Sequence, residues 1–277
     1  MNNGMSKFAI GLVVLIGAGC MASQAEQTHA PDGKPQDSRV QQAGVQQAGV
    51  DQILDALERR GRDLQSLRAD VTLTETELAL GGEMSRAGWF ALQNRADGST
   101  RAHIVFDRKT VDQKPSSEKI EYMLDGGKLI DRNYTRKKQT TRTIVRPGEK
   151  MNLLKLGEGP FPLPIGQKRE DVLAQFDVQK IDPAKDDPPA TVHLQLIPKS
   201  GMALARKFQS IDAWVANDLP VRIKTLDRNG NTERTTDLLN LQINPALKDS
   251  DFELPKIDDK WDIVEEAFQE PSAPPGR

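Results

Sequence analysis

Cysteine is nearly absent from this chain of 277 residues, which carries only Cys20. Cys20 ends an apolar run, residues 8–19, that follows the basic residue Lys7. This layout predicts an export signal, because a run of about a dozen apolar residues is shorter than the roughly 20 that a membrane-spanning helix needs. Export would remove or lipidate Cys20, so no cysteine stays free for a disulfide, and stability must come from a hydrophobic core.

Two processing routes fit this signal. Residues 17–20, Gly-Ala-Gly-Cys, are similar to a bacterial lipoprotein signal, which would attach a diacylglycerol to the Cys20 thiol and anchor the chain in a membrane. A cut after Ala25, with Ser23 and Ala25 as the small residues, would instead discard Cys20 and release a soluble protein. The first route tethers the mature protein to a membrane, and the second leaves it free beyond the membrane.

Signatures of catalysis and of metal binding are missing as well. The chain has three histidines, none with a second histidine at metal-ligand spacing, and it has neither a phosphate-binding loop nor a nucleophile elbow. Its 38 basic and 40 acidic residues are interleaved, so no net field attracts nucleic acid. We therefore expect a protein that is not an enzyme, has no cofactor and binds no metal or nucleic acid.

Composition divides the chain into four parts. After the signal, residues 21–50 are rich in Gln, Ala and Gly and contain a short duplication, which predicts a flexible linker. A folded domain is expected over residues 51–267, starting with a helix from its N-cap Asp51 to about Leu67. Residues 268–277 are rich in Pro and predict a disordered tail.

An apolar period of two follows this first helix and predicts many strands. They are expected at 83–93, 101–107, 120–124, 129–130, 141–145, 176–181, 191–198, 208–215, 220–226 and 232–243, after a first strand near residue 71. Gly-containing turns at residues 125–127 and 227–231 predict hairpins. Short helices interrupt the strands between residues 148 and 176. Consecutive strands joined by tight turns predict a mainly β fold, a strongly bent antiparallel sheet with a few short helices.

Three segments of this pattern resemble the LolA/LolB-like family of periplasmic lipoprotein carriers and acceptors. The segments are residues 63–73, where a helix runs into a strand, residues 121–130 around the Asp-Gly turn, and residues 192–255, which close with Phe252-Glu-Leu-Pro. The resemblance implies an unclosed β-barrel with short helices as a lid. It also implies a monomer in the periplasm or cell envelope that binds acyl chains of lipoproteins or other lipids for carriage to, or reception at, the outer membrane.

Candidate cavity and lid residues follow from the strand pattern and from this resemblance. The side chains expected to line the cavity are Trp89, Ile104, Phe106, Tyr122, Leu129, Val192 and Leu194. Those expected in the lid are Leu153, Leu154, Phe161 and Leu163. For any one of them the alternative is plain core packing. The alternative for the whole protein is a membrane-anchored envelope sensor or scaffold that uses the same fold to bind a protein partner.

Overall fold

The computed structural model of the protein describes residues 36–145 and 165–268, with side chains from residue 47 onward. The first part contains helix α1 (Gln36–Asp63) and strands β1 (Ser66–Glu77), β2 (Gly82–Asn94), β3 (Thr100–Val111), β4 (Lys114–Ser116), β5 (Ile120–Asp125), β6 (Lys128–Asn133) and β7 (Lys138–Thr143). The second contains helix α2 (Arg169–Gln175) and strands β8 (Phe176–Ile181), β9 (Val192–Pro198), β10 (Phe208–Ala216), β11 (Leu219–Asp227), β12 (Thr232–Ile243) and β13 (Asp262–Glu266). Two short 3-10 helices, Ala203–Arg206 and Asp249–Phe252, lie in connections.

All thirteen described strands belong to one sheet. Its order is β13-β7-β6-β5-β3-β2-β1-β12-β11-β10-β9-β8, with β4 paired to β3. The pairings are antiparallel except for β13, which runs parallel to β7. The outer strands β8 and β13 do not pair with each other, so the curved sheet is not closed into a barrel. The predicted mainly β, unclosed antiparallel architecture is confirmed.

Tight turns join neighbouring strands, as the sequence indicates. Gly126 and Gly127 form the two-residue loop between β5 and β6, and both have positive φ, at 57° and 76°. This is the backbone that a type I′ hairpin requires and that glycine adopts without strain. At the turn after β11 the Asp227 carboxylate accepts hydrogen bonds from the backbone of Asn231 and Thr232, at 2.7 and 3.0 Å.

The sheet has an inner face and an outer face, which alternate along each strand. The inner face carries the large hydrophobic core, to which α1 contributes Val50, Leu54 and Leu57. The outer face carries a smaller cluster around Ala91, Met123 and Phe252. The inner face is therefore the one that is covered by a helix and buried.

Helix α1 begins at Gln36, fifteen residues before the predicted N-cap Asp51. It therefore takes in residues 36–50 of the segment predicted to be a linker, and it ends at Asp63 rather than near Leu67. The early start has a physical reason, because Gln and Ala are strong helix formers even where no apolar period marks a buried face. Packing supports the last part of this extension, since Val50 is 1% exposed. Neither helix described has the length and apolar character of a membrane span.

Candidate functional site

An apolar floor covers the middle of the inner face. It is formed by side chains that alternate along β1, β2 and β3, and along β9, β10 and β11 on the other side of the β1–β12 pair. These side chains include Leu67, Val71, Phe90, Leu92, Ile104, Phe106, Leu194, Leu196, Ile211 and Ile223. We call this set the apolar floor. Because it spans both halves of the chain, it forms one continuous apolar surface beneath α1.

Five of the seven predicted cavity residues belong to this floor or to its margin. Ile104, Phe106 and Leu194 are buried within it, with exposed fractions of 1 to 2%. Tyr122 and Leu129 are only partly buried and pack against its edge, where the Tyr122 ring meets the Phe106 ring edge-on at 6.5 Å. Among the described residues, the floor is thus covered at its centre and only partly covered beside Tyr122 and Leu129.

Trp89 and Val192 are the two predicted cavity residues outside the floor and its margin. The prediction that Trp89 lines the cavity is wrong, because Trp89 packs in the outer-face cluster while its neighbour Phe90 points to the floor. The sequence pattern did not reveal this, since both residues are large and aromatic and a one-residue slip exchanges the two faces. Val192 precedes Leu194 by two residues and so shares its face, but it is only partly buried.

The other predicted site residues fall outside the part of the chain that the structure describes. Leu153, Leu154, Phe161 and Leu163, predicted for the lid, are in residues 146–164, and Cys20 is in residues 1–35. Their roles stay predictions.

The inner face becomes charged toward β6 and β7. Residues that stand directly opposite one another on neighbouring strands share a face, so a row can be followed across β3, β5, β6 and β7. One row reads Ile104, Tyr122, Asp131, Thr140, and the next reads Phe106, Ile120, Asn133, Lys138. Each row begins apolar at the floor and ends polar near the edge of the sheet. A ligand lying along a row would therefore meet both kinds of surface.

A cleft of about 350 Å³ lies at the polar end of these rows. We call it the charged cleft. Its walls include Arg86, Glu118, Ile120, Tyr122, Asp131, Arg136, Lys138 and Arg142. Four cationic side chains face two carboxylates, which leaves an excess of two positive charges, although the whole chain carries a net charge of −2.

Glu118 is held by two cations at one side of the charged cleft. Arg86 Nε donates to its Oε2 at 2.8 Å, and Lys109 Nζ lies 3.3 Å from its Oε1. Burial alone would raise the pKa of Glu118, but the hydrogen bonds and charges of Arg86 and Lys109 outweigh burial and lower it. Glu118 therefore stays ionised and fixes the position of Arg86.

In Asp131 the effect of burial on the pKa outweighs the effect of the neighbouring cations. Burial raises the pKa of its carboxyl, and Arg142, whose Nη1 lies 3.7 Å away, offsets only part of this effect. Burial likewise raises the pKa of the neighbouring Tyr122 hydroxyl. The charged cleft thus contains one carboxyl that gains a proton more readily than an ordinary aspartate.

The outer face carries the two described histidines in structural contacts. His103 Nδ1 lies 2.8 Å from the carbonyl oxygen of Asp251, and His193 Nε2 lies 2.9 Å from Asp212 Oδ1. His193 also stacks on Trp214, with ring centroids 4.2 Å apart. The two belong to separate sites, and within the described ranges no cluster of three or more His, Cys, Asp or Glu could hold a metal ion.

Comparison with known proteins gives similarity at the level of structure. No family model and no curated protein matches the sequence. Among solved structures, an uncharacterized conserved protein from Thermus thermophilus has a TM-score of 0.43 and 12% identity, covering 79% of this chain and 99% of that one. A chain in the structure of the MucA/MucB complex from Pseudomonas aeruginosa has a TM-score of 0.39 and 11% identity, covering 74% of this chain and 61% of that one.

A third neighbour is a LolA superfamily protein from Nitrosomonas europaea, with a TM-score of 0.28, 11% identity, and coverage of 73% of this chain and 96% of that one. The LolA superfamily is represented among the structural neighbours.

The charged cleft is the feature that sequence reasoning missed. Arg86, Glu118, Asp131 and Arg142 are spread over 57 positions, and each alone looks like an ordinary charged surface residue. One signal was present: Tyr122, Asp131 and Thr140 alternate with outer-face residues in the same phase as the apolar floor. Polar residues in the phase of a buried face indicate a cleft or a site.

Proposed function

We propose that this protein is a non-enzymatic protein of the bacterial cell envelope that binds acyl chains of lipoproteins or other lipids on its inner face. The observation that carries the proposal is the continuous apolar floor, which the described residues cover only partly beside Tyr122 and Leu129. An unclosed sheet can widen to admit a chain without breaking a closed ring of strand pairs. The acyl chain would enter at the open margin and lie along the floor beneath α1.

The energetics suit a carrier or an acceptor. Each buried methylene group contributes about 0.8 kcal/mol, so a chain only partly buried on the floor would bind measurably. A single acyl chain is nevertheless held reversibly, which allows transfer to a membrane or another protein. We further propose that the protein works as a monomer in the periplasm, as an acceptor anchored to the outer membrane through Cys20 or as a free shuttle after cleavage behind Ala25.

The test uses Leu129 and Ile130, neighbours on β6 that point to opposite faces. Leu129 packs at the margin of the apolar floor, and Ile130 packs in the outer-face cluster. The full chain is purified from a Gram-negative host and extracted with organic solvent. Mass spectrometry then identifies and quantifies the lipid in the extract. We expect lipid with the wild-type protein and with Ile130→Asp, and little with Leu129→Asp. Equal lipid in both variants, or none in the wild-type protein, would contradict the proposal.

A second function is favoured by the open edges of the sheet. Within the described residues, the outer strands β8 and β13 each have one side without a partner strand, and such an edge can pair with a strand of another protein. The alternative is therefore an anchored envelope sensor or scaffold. A cysteine placed on β8, Gln179→Cys, should then cross-link to a protein partner, whereas Lys128→Cys on the interior strand β6 should not. If the protein cross-links only through Gln179→Cys and also carries no lipid, the scaffold function is favoured over lipid binding.

A further inference from the structure

The charged cleft adjoins the open margin of the apolar floor. Tyr122 and Ile120 line the cleft, and Tyr122 also packs against the floor. Along its row Asp131 and Thr140 stand one and two strands away, at about 4.8 Å per strand. A molecule with an acyl chain at Tyr122 would therefore place its polar end, within about 10 Å, in the cleft.

Two cations of the cleft, Arg86 and Arg142, are held in place by carboxylates. Arg86 uses Nε for its bond to Glu118, and a guanidinium has five N–H groups, so the four on its terminal nitrogens are not used by that bond. Arg142 is positioned between Asp131, at 3.7 Å, and Glu266, at 2.7 Å. Side chains fixed in this way lose little conformational entropy when they bind a ligand. The cleft therefore contains oriented donors rather than mobile surface cations.

The sign and size of the charge favour one class of ligand. The four cations that line the cleft outnumber its two carboxylates, and this positive excess, which Glu266 beside Arg142 reduces, suits an anion such as a phosphate group, which carries about one negative charge as a diester and 1.5 to 2 as a monoester. Arginine is well suited to phosphate because its fork of N–H groups can bind two oxygens at once. Glu118 does not oppose such a ligand strongly, since Arg86 and Lys109 both neutralise it.

We propose that the charged cleft binds the phosphate-bearing headgroup of the lipid whose acyl chain lies on the apolar floor. This proposal rests on the proposed acyl-chain binding and adds the chemical class of the headgroup. Arg86 and Arg142 contact the phosphate oxygens, and Lys138 and Arg136 add positive charge at the mouth of the cleft. The amphipathic rows of the inner face thereby select phosphate-bearing lipids over neutral ones.

The charge of Asp131 changes the affinity of the cleft for a phosphate group. It faces Arg142 and Lys138 from β7 and Tyr122 from β5, and Arg86 and Glu118 stand across the cleft. An ionised Asp131 repels the phosphate, and burial raises the pKa of this carboxyl. Binding therefore tightens as the pH falls and Asp131 takes up a proton. The replacement Asp131→Asn should reproduce this gain at neutral pH.

The experiment measures binding of three probes to the delipidated full chain by calorimetry. The probes are a short-chain phosphatidic acid, the diacylglycerol with the same acyl chains, and inorganic phosphate. We expect phosphatidic acid to bind about 10-fold or more tightly than the diacylglycerol, because charge-assisted hydrogen bonds are added. The double variant Arg136→Gln, Lys138→Gln should reduce this preference severalfold, and Asp131→Asn should increase it. The double variant Lys114→Gln, Lys128→Gln, at exposed cations outside the cleft, should leave it unchanged.

Three outcomes would contradict the headgroup proposal, and they differ in what they mean for the proposed acyl-chain binding. If both lipids bind equally well to the wild-type protein, the headgroup proposal is overturned and the proposed acyl-chain binding stands. If inorganic phosphate binds in the cleft and neither lipid does, the cleft serves free phosphate, and both proposals are overturned. A preference for phosphatidic acid that is the same in all variants would place headgroup recognition outside the charged cleft and overturn the inference.

Discussion

Gly61 in α1 and Gly166 lie backbone to backbone, where the chain after residue 164 returns to the helix. The Gly166 N–H donates to the Leu57 carbonyl at 3.2 Å, Gly166 has a φ of +73°, and the preceding Ile165 is 1% exposed. A Cβ built on Gly61 would overlap the backbone of Gly166. Glycine in the middle of a helix usually costs stability, but here it allows a close approach.

We predict that Gly61→Ala destabilises the protein by about 1–3 kcal/mol, the usual cost of overpacking. Gly49 provides the control, because it lies in the same helix and no atom of the described residues is within 4 Å of a Cβ built on it. Gly49→Ala should therefore leave stability unchanged or raise it by about 0.5–1 kcal/mol. Urea unfolding of both variants measures these differences. Equal changes in the free energy of unfolding for the two variants would disprove the close contact between Gly61 and Gly166.

His103 should make stability depend on pH. Burial between Trp89 and the Asp251 backbone lowers the pKa of its imidazole below 6.5. A carbonyl only accepts hydrogen bonds, so Nδ1 carries the proton. The buried Nε2, for which the described residues supply no hydrogen-bond partner, stays unprotonated. The unfolded chain binds a proton below about pH 6.5, but the folded chain resists it. The stability from His103 is therefore fully present above pH 6.5 and is lost as the pH falls.

The variant His103→Asn keeps a donor for the Asp251 carbonyl and removes the titration. Between pH 6.5 and 5 the wild-type protein should lose stability relative to this variant, by at most about 1.4 kcal/mol per pH unit. Urea midpoints measured at several pH values check this. Parallel pH profiles for the two proteins would show that His103 does not titrate between the folded and unfolded states.

Most strands of the fold can be predicted from the sequence because their side chains alternate between turn signals. The predicted strands at 176–181 and 232–243 coincide with β8 and β12. The exceptions have a common cause. In β4 every residue is exposed, and in β13 every residue but Val264 is exposed, so neither strand has a buried phase that the sequence could reveal. The early start of α1 was missed for the related reason that propensity, not periodicity, extends it.

The residue before the edge strand β13, Trp261, adds contacts to the ladder that β13 forms with β7. Trp261 meets the Tyr134 ring edge-on at 5.1 Å, and the Asp262 N–H donates to the Lys137 carbonyl at 2.9 Å. Upstream, Arg132 Nη1 donates to the Pro255 carbonyl at 2.6 Å. These contacts attach the last described segment to the β6–β7 hairpin. Because the strand itself is exposed, its stability depends on this attachment.

We predict that Trp261→Ala releases β13 without unfolding the rest of the sheet. An aromatic pair contributes about 0.5–1.5 kcal/mol beyond its buried area, so amides of β13 should exchange with solvent about 10-fold faster. Amides in β1 and β2 should be unaffected. Ile263→Ala is the control, because Ile263 is 55% exposed. Hydrogen exchange followed by mass spectrometry measures both variants, and unchanged exchange in β13 after Trp261→Ala would contradict this account.

At the scale of the whole molecule, the two halves of the chain meet in the middle of the sheet. Strands β1–β7 lie on one side and β8–β12 on the other, and the long ladder between β1 and β12 connects them. The sequence predicted the sheet but not this arrangement, because alternation says which face a residue takes and not which strand lies beside it. The charged cleft depends on that arrangement, since it needs β2, β5, β6 and β7 in fixed order.

The same arrangement predicts how the protein unfolds. The apolar floor takes side chains from both halves, so neither half can keep its core when the other is lost. Trp89 on β2 and Trp214 on β10 report on the two halves, and Trp261 reports on the edge strand β13. We expect variants that retain only Trp89 or only Trp214 to show fluorescence transitions with the same urea midpoint, as one cooperative unit requires. The fluorescence of a variant that retains only Trp261 should have its transition at the same urea concentration or at a lower one. Separate midpoints for Trp89 and Trp214 would mean that the floor is divided at the β1–β12 ladder, and a ligand could then reach it by parting the two halves.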